Sequence, residues 1–93
     1  MKNGSTRLLE RQSLYDRVNY YKRMPCMDCG QTFPEVCMDF DHRDADAKVR
    51  PISQMVNRRS SWATIRAEMD KCDLVCSNCH RIRTQSRRHI YTT

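Results

Sequence analysis

Asp73-Leu74-Val75-Cys76-Ser77-Asn78-Cys79-His80-Arg81-Ile82-Arg83-Thr84 is the stretch that decides how the rest of this chain folds. Leu74 and Val75 read as a brief strand entering a Cys-x-x-Cys turn, and a basic helix is expected to start near Cys79. An earlier turn, Cys26-Met27-Asp28-Cys29-Gly30, carries a matching pair, with Gly30 suited to the positive φ such turns require. Four thiolates at this spacing close a tetrahedral structural zinc site and leave no position open for chemistry. His80 adjoins Cys79 but finds no vacancy on that zinc. Cys37 and Cys72 lie outside both pairs and are expected to be buried thiols. The interval from Cys29 to Cys76 is much longer than the about 15–20 residues of a simple zinc ribbon. Folded structure must therefore sit between the two turns.

A chain of 93 residues makes one small domain, of the size that often needs a metal or disulfides as reinforcement. Six cysteines could signal a secreted disulfide framework, but paired Cys-x-x-Cys spacing is a metal pattern. No apolar run follows the N-terminal Met1-Lys2-Asn3-Gly4-Ser5-Thr6-Arg7, and no stretch approaches the about 18 apolar residues of a membrane span. The protein is thus expected to be soluble and intracellular. Seventeen Lys and Arg against eleven Asp and Glu leave a net charge of +6. The excess gathers at the ends: Lys2, Arg7, Arg11, Arg17, Lys22 and Arg23 precede the first cysteine, and Arg81, Arg83, Arg87 and Arg88 follow the last. Such segments favour polyanions through counterion release, although a merely solubilising surface would carry the same charge.

Residues 5–23 predict an amphipathic helix, with Leu14, Val18 and Tyr21 on one face, Leu8 and Leu9 earlier, Ser5 or Thr6 as cap and Pro25 as stop. It either covers the core with a charged solvent side or adds contacts to a nucleic-acid backbone. Val36–His42 alternates like a strand, placing Val36, Met38 and Phe40 on one face and Cys37, Asp39 and Asp41 on the other. Pro51 opens a short helix to about Arg58, with Ile52, Met55 and Val56 inward. Ser60 or Ser61 caps a second helix reaching about Lys71, with Trp62, Ile65 and Met69 as its apolar stripe.

Asp41, His42 and His80 form a second constellation. A phosphodiester hydrolase needs a Lewis acid on the phosphate and a base for water. A carboxylate with an imidazole can hold a divalent ion, and a separate histidine can take the proton. Along a helix starting near Cys79, His80, Arg83, Thr84 and Arg87 share one face, while Ile82 and Ile90 lie on another and are available for packing. Asp41 and His42, being neighbours on a strand, can line one site only if the strand ends or bends there. Each of these residues alone would more often be structural than catalytic. Their combination with ordered cysteines and a basic helix is what points to a site.

These residues resemble the HNH endonuclease family, in the branch whose ββα-metal (His-Me finger) fold is stapled by four cysteines. The likeness rests on Cys26 to Gly30, Met38-Asp39-Phe40-Asp41-His42-Arg43, Lys48, Trp62 to Glu68, and Lys71 to Thr84. It covers about residues 24–84 and implies a zinc-stapled α+β core there; the N-terminal basic helix (5–23) and a basic tail (85–93) lie outside it, within one expected domain of 1–93. It also implies structural Zn2+ on Cys26, Cys29, Cys76 and Cys79. A catalytic divalent metal, Mg2+, Mn2+ or another, would sit on Asp41 and His80, with His42 as general base. Arg81, Arg83, Arg87 and Arg88 would hold the backbone of duplex DNA during nicking or double-strand cleavage. The setting implied is the cytoplasm of a bacterial or phage-infected cell, without membrane and in some cases beside DNA-packaging proteins. The chain departs from the family pattern at Lys71, where the middle asparagine is expected nine residues before His80. Asn78 lies between the zinc cysteines instead, and Thr84 stands where some members place a further histidine. The alternative reading is a non-catalytic zinc-stabilised module that binds nucleic acid. A protein-interaction domain is disfavoured by the basic ends and the Asp41-His42 pair.

Overall fold

The computed structural model describes residues 4–88, with side chains from Leu8 onward. Lys2, the side chains of Ser5, Thr6 and Arg7, Ile90 and the expected tail beyond Arg88 lie outside the described residues. The fold is α+β, with four α-helices and one antiparallel pair of strands among the described residues: α1 (Gly4–Tyr21), β1 (Met38–His42), α2 (Ile52–Asn57), α3 (Trp62–Met69), β2 (Cys72–Cys76) and α4 (Ser77–Arg87). None of the described helices is long and apolar enough to cross a membrane.

The register pairs Met38 with Cys76 and His42 with Cys72. The segment between the strands folds as α2 and α3. Ile52, Met55, Val56, Ile65 and Met69 bury there with Val18 of α1, and Leu14, Tyr21, Phe40 and Trp62 pack around them. Tyr21 stacks on Trp62 with ring centroids 6.0 Å apart, which fixes the C-terminal half of α1. Ser61 caps α3 by accepting from the Thr64 amide. A second cluster of Cys26, Met38, Val75 and Cys76 surrounds the cysteine pairs. β1 belongs to both clusters, through Phe40 and Met38 respectively. It is therefore fixed from both sides.

Several expectations at element ends need correction. β1 starts at Met38, because the chain after Pro34 closes a 3-10 turn over Glu35–Cys37 with the Cys37 amide bonded to the Pro34 carbonyl. Val36 thereby leaves the inner face and is 88% exposed, and Cys37 is only half-buried. Leu8 and Leu9 lie beyond the reach of α2 and are exposed, so the apolar stripe of α1 begins at Leu14. Ser5 and Thr6 fall inside α1 rather than capping it, and α1 ends at Tyr21. α3 stops at Met69, short of Lys71. α4 begins at Ser77, two residues before the expected start, because the Cys76 sulfur accepts from the Cys79 amide and serves as the cap. It runs on to Arg87, taking in the first residues of the expected tail, and Ile82 on it is exposed rather than packed.

Candidate functional site

Two turns bring the four cysteines together. The Gly30 amide donates to the Cys26 carbonyl, and Gly30 takes the positive φ of 75° that lets the chain reverse. The Met27 amide donates to the Leu74 carbonyl at 2.9 Å, which ties the first turn to β2. The sulfurs of Cys26, Cys29, Cys76 and Cys79 all lie within 4.8 Å of one another. Thiolates about 2.3 Å from a tetrahedral zinc would sit about 3.8 Å apart, so the donor set fits a metal ion such as zinc. Amides point at the sulfurs: Cys29 and Cys76 donate to Cys26, and Cys79 donates to Cys76. Burial opposes ionisation of Cys26, yet the amides of Cys29, Cys76 and Asp28 bring it down to about 6. Hydrogen bonding with Cys76, aided by burial, pushes Cys79 up to about 12. Thiols crowded this closely cannot all ionise without a cation among them. Cys72 stays outside the cluster, buried, its thiol raised to about 11 by that burial.

Strand alternation sends Asp39 and Asp41 toward α4 and His42 toward α3. His80, in the first turn of α4, meets both carboxylates. Its Nδ1 lies 3.0 Å from Asp39 Oδ2, and its Nε2 lies 3.4 Å from Asp41 Oδ1. In the neutral ring, an Nδ1–H donated to Asp39 leaves the Nε2 lone pair facing Asp41, the orientation a metal-binding histidine takes from a supporting carboxylate. A carboxylate oxygen and an imidazole nitrogen are ligand types a divalent ion can take, and here Arg87 Nη1 already donates to the same Oδ1. Among the described residues, only the four cysteines bring three or more such ligands together. The second position therefore offers two protein ligands.

Asp41 is 5% exposed and carries two arginines from α4. Arg87 binds both its oxygens, at 2.9 and 2.7 Å, and Arg83 Nη1 reaches Oδ2 at 3.0 Å. Arg87, ahead of Arg83, holds the Asp41 carboxyl at about 2 against the pull of burial. Arg83 also grips Asp28 with two bonds of 2.7 Å and Asp73 with one of 2.9 Å, joining the first cysteine turn, β2 and α4. His80, Arg83 and Arg87 do share one helix face, and that face turns inward onto Asp41. Arg81 and Arg88 are exposed, as is Asn78, and Thr84 donates its hydroxyl to the His80 carbonyl.

His42 has a partner that the sequence reading did not assign. Its Nε2 lies 2.7 Å from Oε2 of Glu68, a carboxylate with only 3% of its side chain exposed. The Val49 amide donates to the same oxygen, and Lys71 Nζ binds Oε1 at 3.0 Å. Burial would lift the Glu68 carboxyl, but Val49, Lys71 and His42 hold it at about 2. Lys71, where an asparagine was expected, also donates to the Ala47 carbonyl. With Nε2–H given to Glu68, the neutral His42 ring keeps its Nδ1 lone pair available, the arrangement by which a buried carboxylate orients a catalytic imidazole. A sequence signal for Glu68 exists: it is a charged residue within the buried stripe of Ile65 and Met69.

His42, His80 and Asp39 open onto one cleft of about 370 Å3 between α1, β1 and α2. Asn19 of α1, Lys22 just after it and Lys48 of the loop before α2 also line it. A larger depression of about 650 Å3, between α1 and Trp62, contains no histidine or cysteine and lies apart from this chemistry. Comparison of the chain with protein-family models, with curated proteins and with solved structures finds no match. The functional reading therefore rests on the residues themselves.

The depressed Glu68 carboxyl makes a stability prediction. A carboxylate held near 2 in the fold and near 4 in the unfolded chain stabilises the fold above pH about 4 and loses that contribution as pH falls toward 2. The Glu68→Gln protein should be less stable than wild type by about 3 kcal/mol at neutral pH, read from urea unfolding. The gap should hold from neutral pH down to about 5 while zinc stays bound, and should shrink on further acidification, where loss of zinc unfolds both proteins alike. A Glu68→Gln protein as stable as wild type at neutral pH would contradict the buried pairing.

Proposed function

We propose that this protein is a metal-dependent DNA endonuclease with a ββα-metal core of the HNH type, formed by β1, β2 and α4. The observation that carries the reading is the pair of oriented histidines on one cleft: His42 set by Glu68, and His80 set by Asp39 with its free nitrogen toward Asp41. A divalent cation held by Asp41 and His80 would, when bound, supply positive charge to the phosphate and the leaving oxygen. His42 Nδ1 would accept a proton from water as the water oxygen bonds to phosphorus. The P–O3′ bond then breaks, leaving 5′-phosphate and 3′-hydroxyl ends, and the 3′ oxygen takes a proton from solvent. Glu68 keeps the protonated imidazole compensated without taking the proton itself. Asp41 Oδ1 accepts only one arginine bond, so it retains a lone pair on the side of His80.

A second reading, a zinc-stabilised nucleic-acid-binding module without catalysis, draws support from the same arginines. Arg83 and Arg87 already compensate Asp41 and compete with any cation for it. Supercoiled plasmid incubated with the purified protein and Mg2+, Mn2+, Ni2+ or no added metal separates the two. Metal-dependent conversion to the open-circular or linear form is expected. Binding with no nicking under any metal would sink the endonuclease reading in favour of the binding module.

A further inference from the structure

We propose that Lys22 and Lys48 form the phosphate-binding wall of the cleft that holds His42 and His80, so that the turn after α1 and the loop before α2 supply substrate contacts to the site. The proposal rests on the reading of that cleft as the place of phosphodiester hydrolysis, and it assigns the backbone contacts to residues other than the arginines of α4. Arg83 and Arg87 are engaged with Asp28, Asp41 and Asp73 and are not among the residues that line the cleft. Lys22 and Lys48 line the cleft, and among the described residues no carboxylate pairs with either. The cleft's own acid, Asp39, is bonded to His80. Two lysines without a carboxylate partner thus line the same cleft as a pair of imidazoles, an arrangement that attracts a phosphodiester.

Both lysines sit on anchored backbone. Glu68 and Lys71, the pair behind His42, also hold the chain on either side of Lys48: Glu68 accepts from the Val49 amide and Lys71 donates to the Ala47 carbonyl. One buried carboxylate therefore fixes both the candidate base and the loop that presents Lys48. Lys22 follows the last turn of α1, with its amide bonded to the Asn19 carbonyl, and that turn is secured by buried Val18 and by Tyr21 on Trp62. The Lys22 ammonium lies 5.9 Å from the Phe40 ring centroid, which keeps it over β1 beside the cleft. The backbone that carries both lysines is thus fixed before substrate arrives, and less ordering is needed on binding.

The test is fluorescence anisotropy of a labelled short DNA duplex with the zinc-loaded protein and no other divalent cation, across about 50 to 200 mM salt. The doubly substituted Lys22→Ala, Lys48→Ala protein should bind on the order of 10- to 100-fold more weakly near 0.1 M salt. Its plot of log K against log salt should be shallower by about 1.8, the loss of two phosphate contacts. Arg58→Ala, an exposed residue at the end of α2 outside this cleft, should leave the slope unchanged, and circular dichroism should show all three proteins folded. Wild-type affinity and slope in the double variant would overturn the proposal, as would an equal loss from Arg58→Ala or no duplex binding by wild type. Plasmid nicking reads the catalytic assignment separately. A wild type that binds with the expected slope but never nicks would leave the lysine wall standing and remove the nuclease. A nicking wild type whose double variant binds normally would do the reverse.

Discussion

Replacement of Cys76 by alanine is expected to unfold the domain. Three interactions meet at this residue: its sulfur belongs to the four-thiol cluster, its amide donates to Cys26 Sγ, and its sulfur caps α4 by accepting from the Cys79 amide. Structural zinc contributes on the order of 10 kcal/mol in small modules, while a whole domain is stable by only about 5–15 kcal/mol. Loss of the cluster therefore outweighs what the helical core can supply. The substituted protein should lose helical circular dichroism and bound zinc together, and a strong chelator should do the same to wild type. Cys37→Ala serves as the control, because Cys37 lies outside the cluster on a 3-10 turn. It should keep both the zinc content and the melting temperature. A folded, cooperatively melting Cys76→Ala protein would show that the thiol cluster is dispensable.

The parts of this architecture that were readable in the sequence are the local ones. A Cys-x-x-Cys turn is set by neighbouring residues, and the buried faces of α2 and α3 follow from helical spacing, so Ile52, Met55, Val56, Ile65 and Met69 could be placed without coordinates. Val36 was misplaced because alternation alone cannot tell a strand from a turn that follows proline. The partners of the histidines were hidden for a different reason. Glu68 is 26 positions from His42 and Asp39 is 41 from His80, and only the tertiary fold brings them together. Helical spacing correctly grouped His80, Arg83 and Arg87 on one face, yet a long arginine can reach out to phosphate or fold back onto a carboxylate. The buried Asp41 and the neighbouring Asp28 and Asp73 decide for the inward orientation here.

Lys71 bears on the proposed role of His42 as base. In place of an asparagine the chain has a lysine that neutralises Glu68, and Glu68 in turn orients His42. If His42 is the base, His42→Ala should lower plasmid nicking by about 10^2- to 10^4-fold, the usual contribution of a positioned general base. Duplex binding measured without added divalent metal should be unchanged. Glu68→Ala should cost less, on the order of 10- to 100-fold in kcat, because the imidazole remains but its orientation is lost. In kcat at saturating DNA the two effects should not add: the protein carrying both substitutions should turn over no more slowly than His42→Ala alone, since Glu68 reaches the chemical step only through that ring, while its hold on the Lys48 loop should show in KM. Residual activity in His42→Ala should rise with added imidazole, which can occupy the space left beside Glu68. Nicking that survives intact in His42→Ala would remove the base role. A further large drop in kcat in the double variant would mean that Glu68 acts on the chemical step by a route that bypasses His42.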